Sequence, residues 1–151
     1  MLHAWTVAQI RDAEARAIAD VGPDVLIQRA AAGLASAILR RLRAGRFAAR
    51  TPVGSVPAGA YGARVLLVVG SGNNGADALL AGAILAGRGV RVSAWRSSDR
   101  VHEAGWAALR GAGGREVDAA TALAQLPRQS LVVDGVAGIG SRPGLAPAVA
   151  G

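Results

Sequence analysis

Two glycine-rich segments carry the residues best suited to chemistry, and the first is GSGNNGAD at residues 70–77. Gly70, Gly72 and Gly75 satisfy the spacing G-x-G-x-x-G, after a short apolar run and before a helical pattern. Glycine there lets the backbone turn tightly and approach a ligand closely. The N-terminus of the following helix offers free N–H groups and partial positive charge to a phosphate. Alone, this spacing is a weak indication of dinucleotide binding.

Asn73 and Asn74 make this turn unusual, because adjacent side-chain amides both accept and donate hydrogen bonds. They suit a polar ligand or a cation bound by carbonyl oxygens. The alternative interpretation is that both only tolerate left-handed turn geometry. Asp77 has a structural alternative too, since a carboxylate in the first turn complements the helix dipole.

A dinucleotide site of the usual type also needs an acidic residue at the end of the second strand, about twenty residues on. Here that position reads Ala94, Trp95 and Arg96. Arg96 favours a 2′-phosphate in one interpretation and is a solvated strand-end side chain in the other. The sequence leaves both open.

The second segment is VVDGVAGIGSRPG at residues 132–144. Asp134 ends an apolar run, and the carboxyl ends of strands in open α/β sheets are where ligands bind. If its strand neighbours the one before Gly70, both segments face one crevice. Gly138, Gly140 and Gly144 predict a flexible loop, and Arg142 supplies a cation for phosphate.

Composition excludes several classes of protein. All 17 basic residues are Arg, which excludes a lysine Schiff base and a P-loop lysine, and the chain has no Cys for a disulfide or thiolate metal site. With 52% hydrophobic and 18% charged residues, the 151-residue chain fits one folded domain. The net charge of +7 has one cluster, residues 40–50, which we assign to a helix end rather than to nucleic acid. No apolar run is long enough to span a membrane, no secretory signal is evident, and a cytoplasmic protein is expected.

The elements that would position both segments follow from periodicity. A capping box of Thr6 and Gln9 predicts a helix to about Asp20, and a second helix follows from about Val25 to Arg43. Residues 44–63 read as a loop. Strands are predicted at 65–69, 90–95, 115–117 and 131–134, with helices at 77–87, 101–110 and 119–126 between them. This alternation predicts an α/β fold with a mostly parallel sheet.

Four segments together resemble the YjeF-type N-terminal domain family, the NAD(P)H-hydrate epimerases. They are WTVAQIR at 5–11, IQRAAA at 27–32, GSGNNGAD at 70–77, and VD followed by GIGSRP at 133–134 and 138–143. The GNNG-x-D pattern is specific, and the others support it by order and spacing. The resemblance spans nearly the whole chain and implies one Rossmann-like, three-layer domain over residues 1–151 with two N-terminal helices.

The resemblance implies an isomerase that interconverts the R and S epimers of hydrated NADH or NADPH, so that a dehydratase can restore the cofactor. It implies a K⁺ ion held by Asn74 and Asp134, and Asp134 is the expected acid/base group. A dehydratase domain or partner and a homodimer are the expected protein partners. The implied nucleotide-binding residues are Asn73, Asn74, Gly75, Ala76, Asp77, Gly138, Ile139, Gly140, Ser141, Arg142, Pro143 and Gly144.

Two departures qualify that inference. Ala76 and Ala78 stand where the family usually has glycine, so their methyl groups are expected to narrow the approach to a phosphate. The chain also stops at Gly151, before a V-D-x-P-S-G segment that the family carries, so we expect a truncated and poorly soluble domain. A non-catalytic nucleotide-binding module or inactive fragment is the alternative function, and an NADP-dependent oxidoreductase is a weaker one.

Overall fold

The computed structural model describes residues 4–44 and 60–138. The N-terminal part is a helical pair, α1 (Val7–Val21) and α2 (Pro23–Arg43). Thr6 and Gln9 form the predicted capping box at the start of α1. Only Gly22 separates the helices, with φ of 82°, and Pro23 occupies the first turn of α2, where its missing N–H costs nothing. The second helix therefore begins two residues before the predicted Val25.

The rest alternates strands and helices, as the periodicity predicts. The strands are β1 (Arg64–Val69), β2 (Arg91–Arg96), β3 (Arg115–Val117) and β4 (Leu131–Gly135). The helices are α3 (Asn73–Ala86), α4 (Glu103–Gly111) and α5 (Ala119–Gln125), which continues into a 3-10 turn at Leu126–Arg128.

The sheet has the order β3-β2-β1-β4, and every pair is parallel. The chain thus winds outward from β1 through β2 to β3, and then crosses back to the other side of β1. Because parallel crossovers are right-handed, α3 and α4 cover one face of the sheet and α5 the other. This confirms the predicted α/β fold with a parallel sheet.

The core lies between the sheet and α3, with α2 packed on the outside of α3. Gly82 shows how close this packing is, because a Cβ there would lie 2.6 Å from Leu67 of β1 and 3.1 Å from Leu109 of α4. The largest fully buried side chains are Trp106, Leu66, Leu67, Leu79, Leu85, Leu109, Val65 and Val69. No helix within the described ranges is long and apolar enough to cross a membrane.

Candidate functional site

The two glycine-rich segments meet at the point where the winding of the sheet reverses. β1 and β4 are adjacent, with Val68 opposite Asp134 and Val69 opposite Gly135. β1 leads to α3, whereas β4 is reached by the crossover through α5 on the opposite face. Crevices at such reversals, at the carboxyl ends of the strands, are where open α/β sheets bind ligands. The condition set from the sequence, that the two strands be neighbours, is therefore met.

The glycines of the first segment serve the contact between the two loops. The Gly70 N–H donates to the Gly135 carbonyl at 3.1 Å, and a Cβ on Gly70 would collide with the backbone of Val136. A Cβ on Gly75 would collide with the Gly70 carbonyl, whereas Gly72 has open space. Close approach to a ligand is thus not the only reason for this spacing, since backbone packs directly on backbone here.

Helix α3 starts at Asn73, four residues before the predicted Asp77. Gly72 is the N-cap in extended conformation, and no side chain caps the first turn. Asn73 and Asn74 are helical, so the interpretation of them as left-handed turn residues is wrong. Asp77 is in the second turn, and the first turn holds no acidic residue. α1, α4 and α5 each have a side-chain cap, whereas the starts of α2 and α3 have none. Of these two uncapped starts, that of α3 follows the glycine-rich turn and has free N–H groups that could hold an anion.

Asn74 ties this helix start to the second segment. Its side-chain Nδ2 donates to the Ala137 carbonyl oxygen at 2.6 Å. A Cβ on Gly138 would lie 3.0 Å from the Asn74 side chain, so the two loops are also in close contact beyond that bond. With Nδ2 engaged, the amide oxygen Oδ1 of Asn74 is the atom left to accept a hydrogen bond or to coordinate a cation. Asn73 is exposed beside it.

Asp134 is exposed at the end of β4. Its Oδ1 accepts from the Val136 N–H at 2.9 Å, a short Asx-type turn that fixes the carboxylate against its own loop. Within the described residues, Oδ2 has no donor. One oxygen of this exposed carboxylate is therefore held by its own loop, which leaves the other for proton transfer or coordination.

Ala76 and Ala78 are both buried, at 2% and 0% exposure. The Ala78 methyl belongs to the core cluster and lies 3.0 Å from where a Cβ on Gly135 would lie. This methyl group is therefore turned into the core and does not narrow the approach to a phosphate. The expectation that the Ala76 methyl narrows that approach stays a prediction.

Asp77 is half-buried on α3, and α1 acts on it electrostatically. Burial, and secondarily the negative charge of Glu14 on α1, raise the pKa of the Asp77 carboxyl above its ordinary value of 3.8. Helical spacing gave no sign of this relation, because Glu14 and Asp77 are 63 positions apart and only the packing of the helical pair on α3 connects them.

Arg96 is not the solvated strand-end side chain of one interpretation. Its guanidinium carbon lies 5.1 Å from the centroid of the Trp106 ring, and its Nε lies 3.5 Å from Glu116 Oε1. Its side chain is 32% exposed. The sequence did not predict that Trp106 and Glu116 contact Arg96. These residues lie on α4 and β3, and no local spacing connects them to β2.

The remaining predicted positions, Ile139, Gly140, Ser141, Arg142, Pro143 and Gly144, lie outside the described residues. Of the second segment, residues 132–138 have a described place.

The oxygen atoms at the two loops are of the types that coordinate a hard cation. Asn74 Oδ1, Asp134 Oδ2 and loop carbonyls are amide, carboxylate and backbone oxygens, which such ions prefer. Across residues 4–44 and 60–138, however, no three His, Cys, Asp or Glu side chains cluster as a metal site. A cation here would thus depend on backbone and amide oxygens more than on charge.

Comparison with known proteins agrees with this geometry. The chain is 45% identical over 151 residues to the "Bifunctional NAD(P)H-hydrate repair enzyme Nnr" of Mycobacterium leprae, covering 99% of this chain and 28% of that one. It is 43% identical over 143 residues to the "NAD(P)H-hydrate epimerase" of Clavibacter michiganensis, covering 91% and 53%. The chain therefore spans about a quarter to a half of these relatives.

A solved structure has the same fold. The crystal structure of the yeast protein YNL200c superposes with a TM-score of 0.70, covering 97% of this chain and 61% of that chain at 16% identity. Residues 23–150 match the family described as "YjeF-related protein N-terminus". Because that match covers most of the chain, including both glycine-rich segments, the protein belongs to the family of YjeF-related N-terminal domains.

Proposed function

We propose that this domain is an NAD(P)H-hydrate epimerase, an isomerase that inverts one carbon of hydrated NADH or NADPH. The observation that carries the proposal is the hydrogen bond from Asn74 to Ala137. It joins the uncapped start of α3, a site for phosphate, to the loop that presents Asp134, a site for proton transfer. The names of the relatives also support the proposal, since one is a bifunctional NAD(P)H-hydrate repair enzyme and another is an NAD(P)H-hydrate epimerase.

Within the proposal, Asp134 is the acid/base group. Inverting the hydrated carbon, C6, requires its bond to the hydroxyl oxygen to break and to form again on the opposite face. A carboxylic acid donates a proton to the departing oxygen, which leaves as water, and the carboxylate takes a proton back as water adds. The bond from Val136 N–H to Oδ1 holds the carboxylate, so that Oδ2 serves as the transferring atom.

The remaining side chains bind and orient the substrate. The free N–H groups at Asn73, Asn74 and Gly75 would hold a phosphate, with Ala76 and Asp77 continuing the same helix behind them. Gly138 to Gly144, including Arg142, would supply the other nucleotide contacts, as the resemblance implies. A K⁺ ion held by Asn74 and Asp134 would supply fixed positive charge beside the phosphates.

The decisive experiment starts from the pure S hydrate and follows the appearance of the R form, with and without potassium. We expect epimerisation that Asp134→Asn slows by about 100-fold or more, in the range of lost acid/base catalysis. Asp20→Asn is the matched control, because that carboxylate is exposed on α1. Full activity in Asp134→Asn would remove Asp134 from the chemistry. Binding of the hydrate with no turnover in the unaltered chain would favour the non-catalytic module instead.

The protein partners belong to the same proposal. An epimerase supplies the epimer that a stereospecific dehydratase consumes. The bifunctional relatives suggest that this dehydratase is an attached domain or a partner protein. The reaction would take place in the cytoplasm. A homodimer has one support, since α1 buries no residue and leaves Trp5 68% exposed. Light scattering on the purified chain tests the homodimer, which should have twice the molecular mass of one chain.

A further inference from the structure

Arg96 is placed beside the glycine-rich turn by the register of the sheet. It pairs with Val69, the residue directly before Gly70. The next residue, Ser97, is buried and bonds to the Val69 carbonyl twice, from its N–H and its Oγ, each at 2.9 Å. The end of β2 is thus locked to the end of β1. In doubly wound sheets this position faces the adenosine ribose of a bound dinucleotide.

The guanidinium is held on two sides and open on the third. The Trp106 ring lies against it at 5.1 Å, and Glu116 lies 3.5 Å from Nε, which is fully buried without a hydrogen bond of good geometry. In the described part of the chain, the two Nη nitrogens have no partner. A planar fork fixed from behind and free at its tip is the arrangement that binds a phosphate with two parallel hydrogen bonds.

The chain that follows β2 has more phosphate-binding groups. Ser98 is half-buried and Arg100 is exposed, and the Arg100 N–H donates to Ser98 Oγ at 3.3 Å, which curls this segment beside Arg96. β2 itself ends in Arg96 and not in a carboxylate that would bind the ribose 2′-hydroxyl. The acidic groups nearby are Glu116, which pairs with the Arg96 Nε, and the exposed Asp99 between Ser98 and Arg100.

We propose that Arg96 is a specificity-determining residue that binds a 2′-phosphate on the adenosine ribose, so that the site prefers the phosphorylated hydrate, derived from NADPH, to the one derived from NADH. This inference rests on the proposed function for the identity of the substrate. Glu116 and Trp106 position the guanidinium and do not touch the ligand.

The test separates Arg96 from the chemistry by using two fragments of the cofactor that differ only by the 2′-phosphate, 2′,5′-ADP and 5′-AMP. Calorimetric titration of the purified chain should give binding of 2′,5′-ADP at least about tenfold tighter than of 5′-AMP. Arg96→Gln should weaken 2′,5′-ADP by about 10- to 100-fold and change 5′-AMP by less than about twofold. Arg91→Gln is the matched control, since Arg91 is exposed at the other end of β2.

Arg96→Lys keeps a positive charge and loses the planar fork over Trp106, so it should lose an intermediate part of the preference. Equal affinity of the unaltered chain for the two fragments, or no binding of either, overturns the inference. Equal loss of both fragments in Arg96→Gln also overturns it, and shows a structural role instead. Epimerisation of both hydrates with equal kcat/KM leaves the proposed function standing and removes the preference. Tight binding of 2′,5′-ADP without epimerisation supports the 2′-phosphate site and removes the proposed function.

Discussion

At the scale of single residues, the candidate site depends on side chains that each have one atom engaged and one atom free. Asn74 holds Ala137 with Nδ2, and Asp134 holds Val136 with Oδ1. Among residues 4–44 and 60–138, nothing bonds to Asn74 Oδ1 or to Asp134 Oδ2. Because the engaged atom fixes the rotamer, the free atom is preorganised for a ligand. Asp77 differs, since its burial and the nearby negative charge of Glu14 both disfavour the ionised carboxylate.

The first prediction concerns Asp77 and pH. Its pKa is raised in the folded state, so ionising it costs stability, which is lost as pH rises from the unfolded value near 3.8 through the raised folded value. Asp77→Asn should therefore match the unaltered protein below that window. Above it, the variant should gain less than about 1 kcal/mol, because solvent screens a half-exposed carboxylate.

Urea unfolding at pH 3.5 and pH 7 measures this difference. Glu14→Gln, which keeps Asp77 and removes the neighbouring charge, should recover the smaller part of the gain at pH 7, since burial is the larger cause. The same difference in stability at both pH values would show that the carboxylate is not strained by its surroundings.

At the scale of elements, the start of α3 decides how the site is built. A helix that began at Asp77, as predicted, would leave both asparagines in a loop and turn Ala76 out of the core. Beginning at Asn73, it directs its free N–H groups along the crevice and buries Ala76 and Ala78. Gly75 permits this, because it lets the first turn lie against the Gly70 carbonyl.

The second prediction compares two helical glycines. Gly75→Ala should destabilise the protein by about 1–3 kcal/mol or more, since its methyl meets backbone that cannot move aside. Gly33→Ala, in the interior of α2 with nothing within 4 Å of the new methyl, should stabilise it by about 0.5–1 kcal/mol. Thermal melts measure both. A stabilising Gly75→Ala would contradict the close backbone contact between Gly75 and the Gly70 carbonyl.

At the scale of the whole molecule, the two faces of the sheet are covered unequally. Successive residues of β4 show it, with Val133 8% exposed toward α3 and Val132 45% exposed on the other face. On that face the described cover is α5, whose Leu123 is 56% exposed. In the described part of the chain, the α5 side therefore presents more apolar surface at Val132 and Leu123 than the α3 side does at Val133.

The third prediction follows from this asymmetry. Leu79→Ala, fully buried on α3, should lower the free energy of unfolding by about 2–5 kcal/mol. Leu123→Ala should change it by no more than about 0.5 kcal/mol, because that side chain is mostly in solvent. Leu123→Ala should also reduce binding of an apolar dye such as ANS. Similar losses of stability in both variants would mean that the α5 face is packed as well as the α3 face.

The sequence alone determined what depends on near neighbours in the chain. Periodicity placed the strands and most helices to within a few residues, Thr6 and Gln9 marked the start of α1, and the spacing of glycine and asparagine marked the turn. These features are local because hydrogen bonds in helices and turns join residues a few positions apart.

Only the tertiary structure decided what depends on distant neighbours. It set β4 beside β1, joined Asn74 to Ala137, and brought Trp106 and Glu116 around Arg96. It also moved the start of α3, since the cost of two asparagines in a first turn is small beside the burial of Ala76 and Ala78. The physical reason is that packing is long-range in sequence: local spacing shows which residues suit a ligand, and the sheet decides which of them meet.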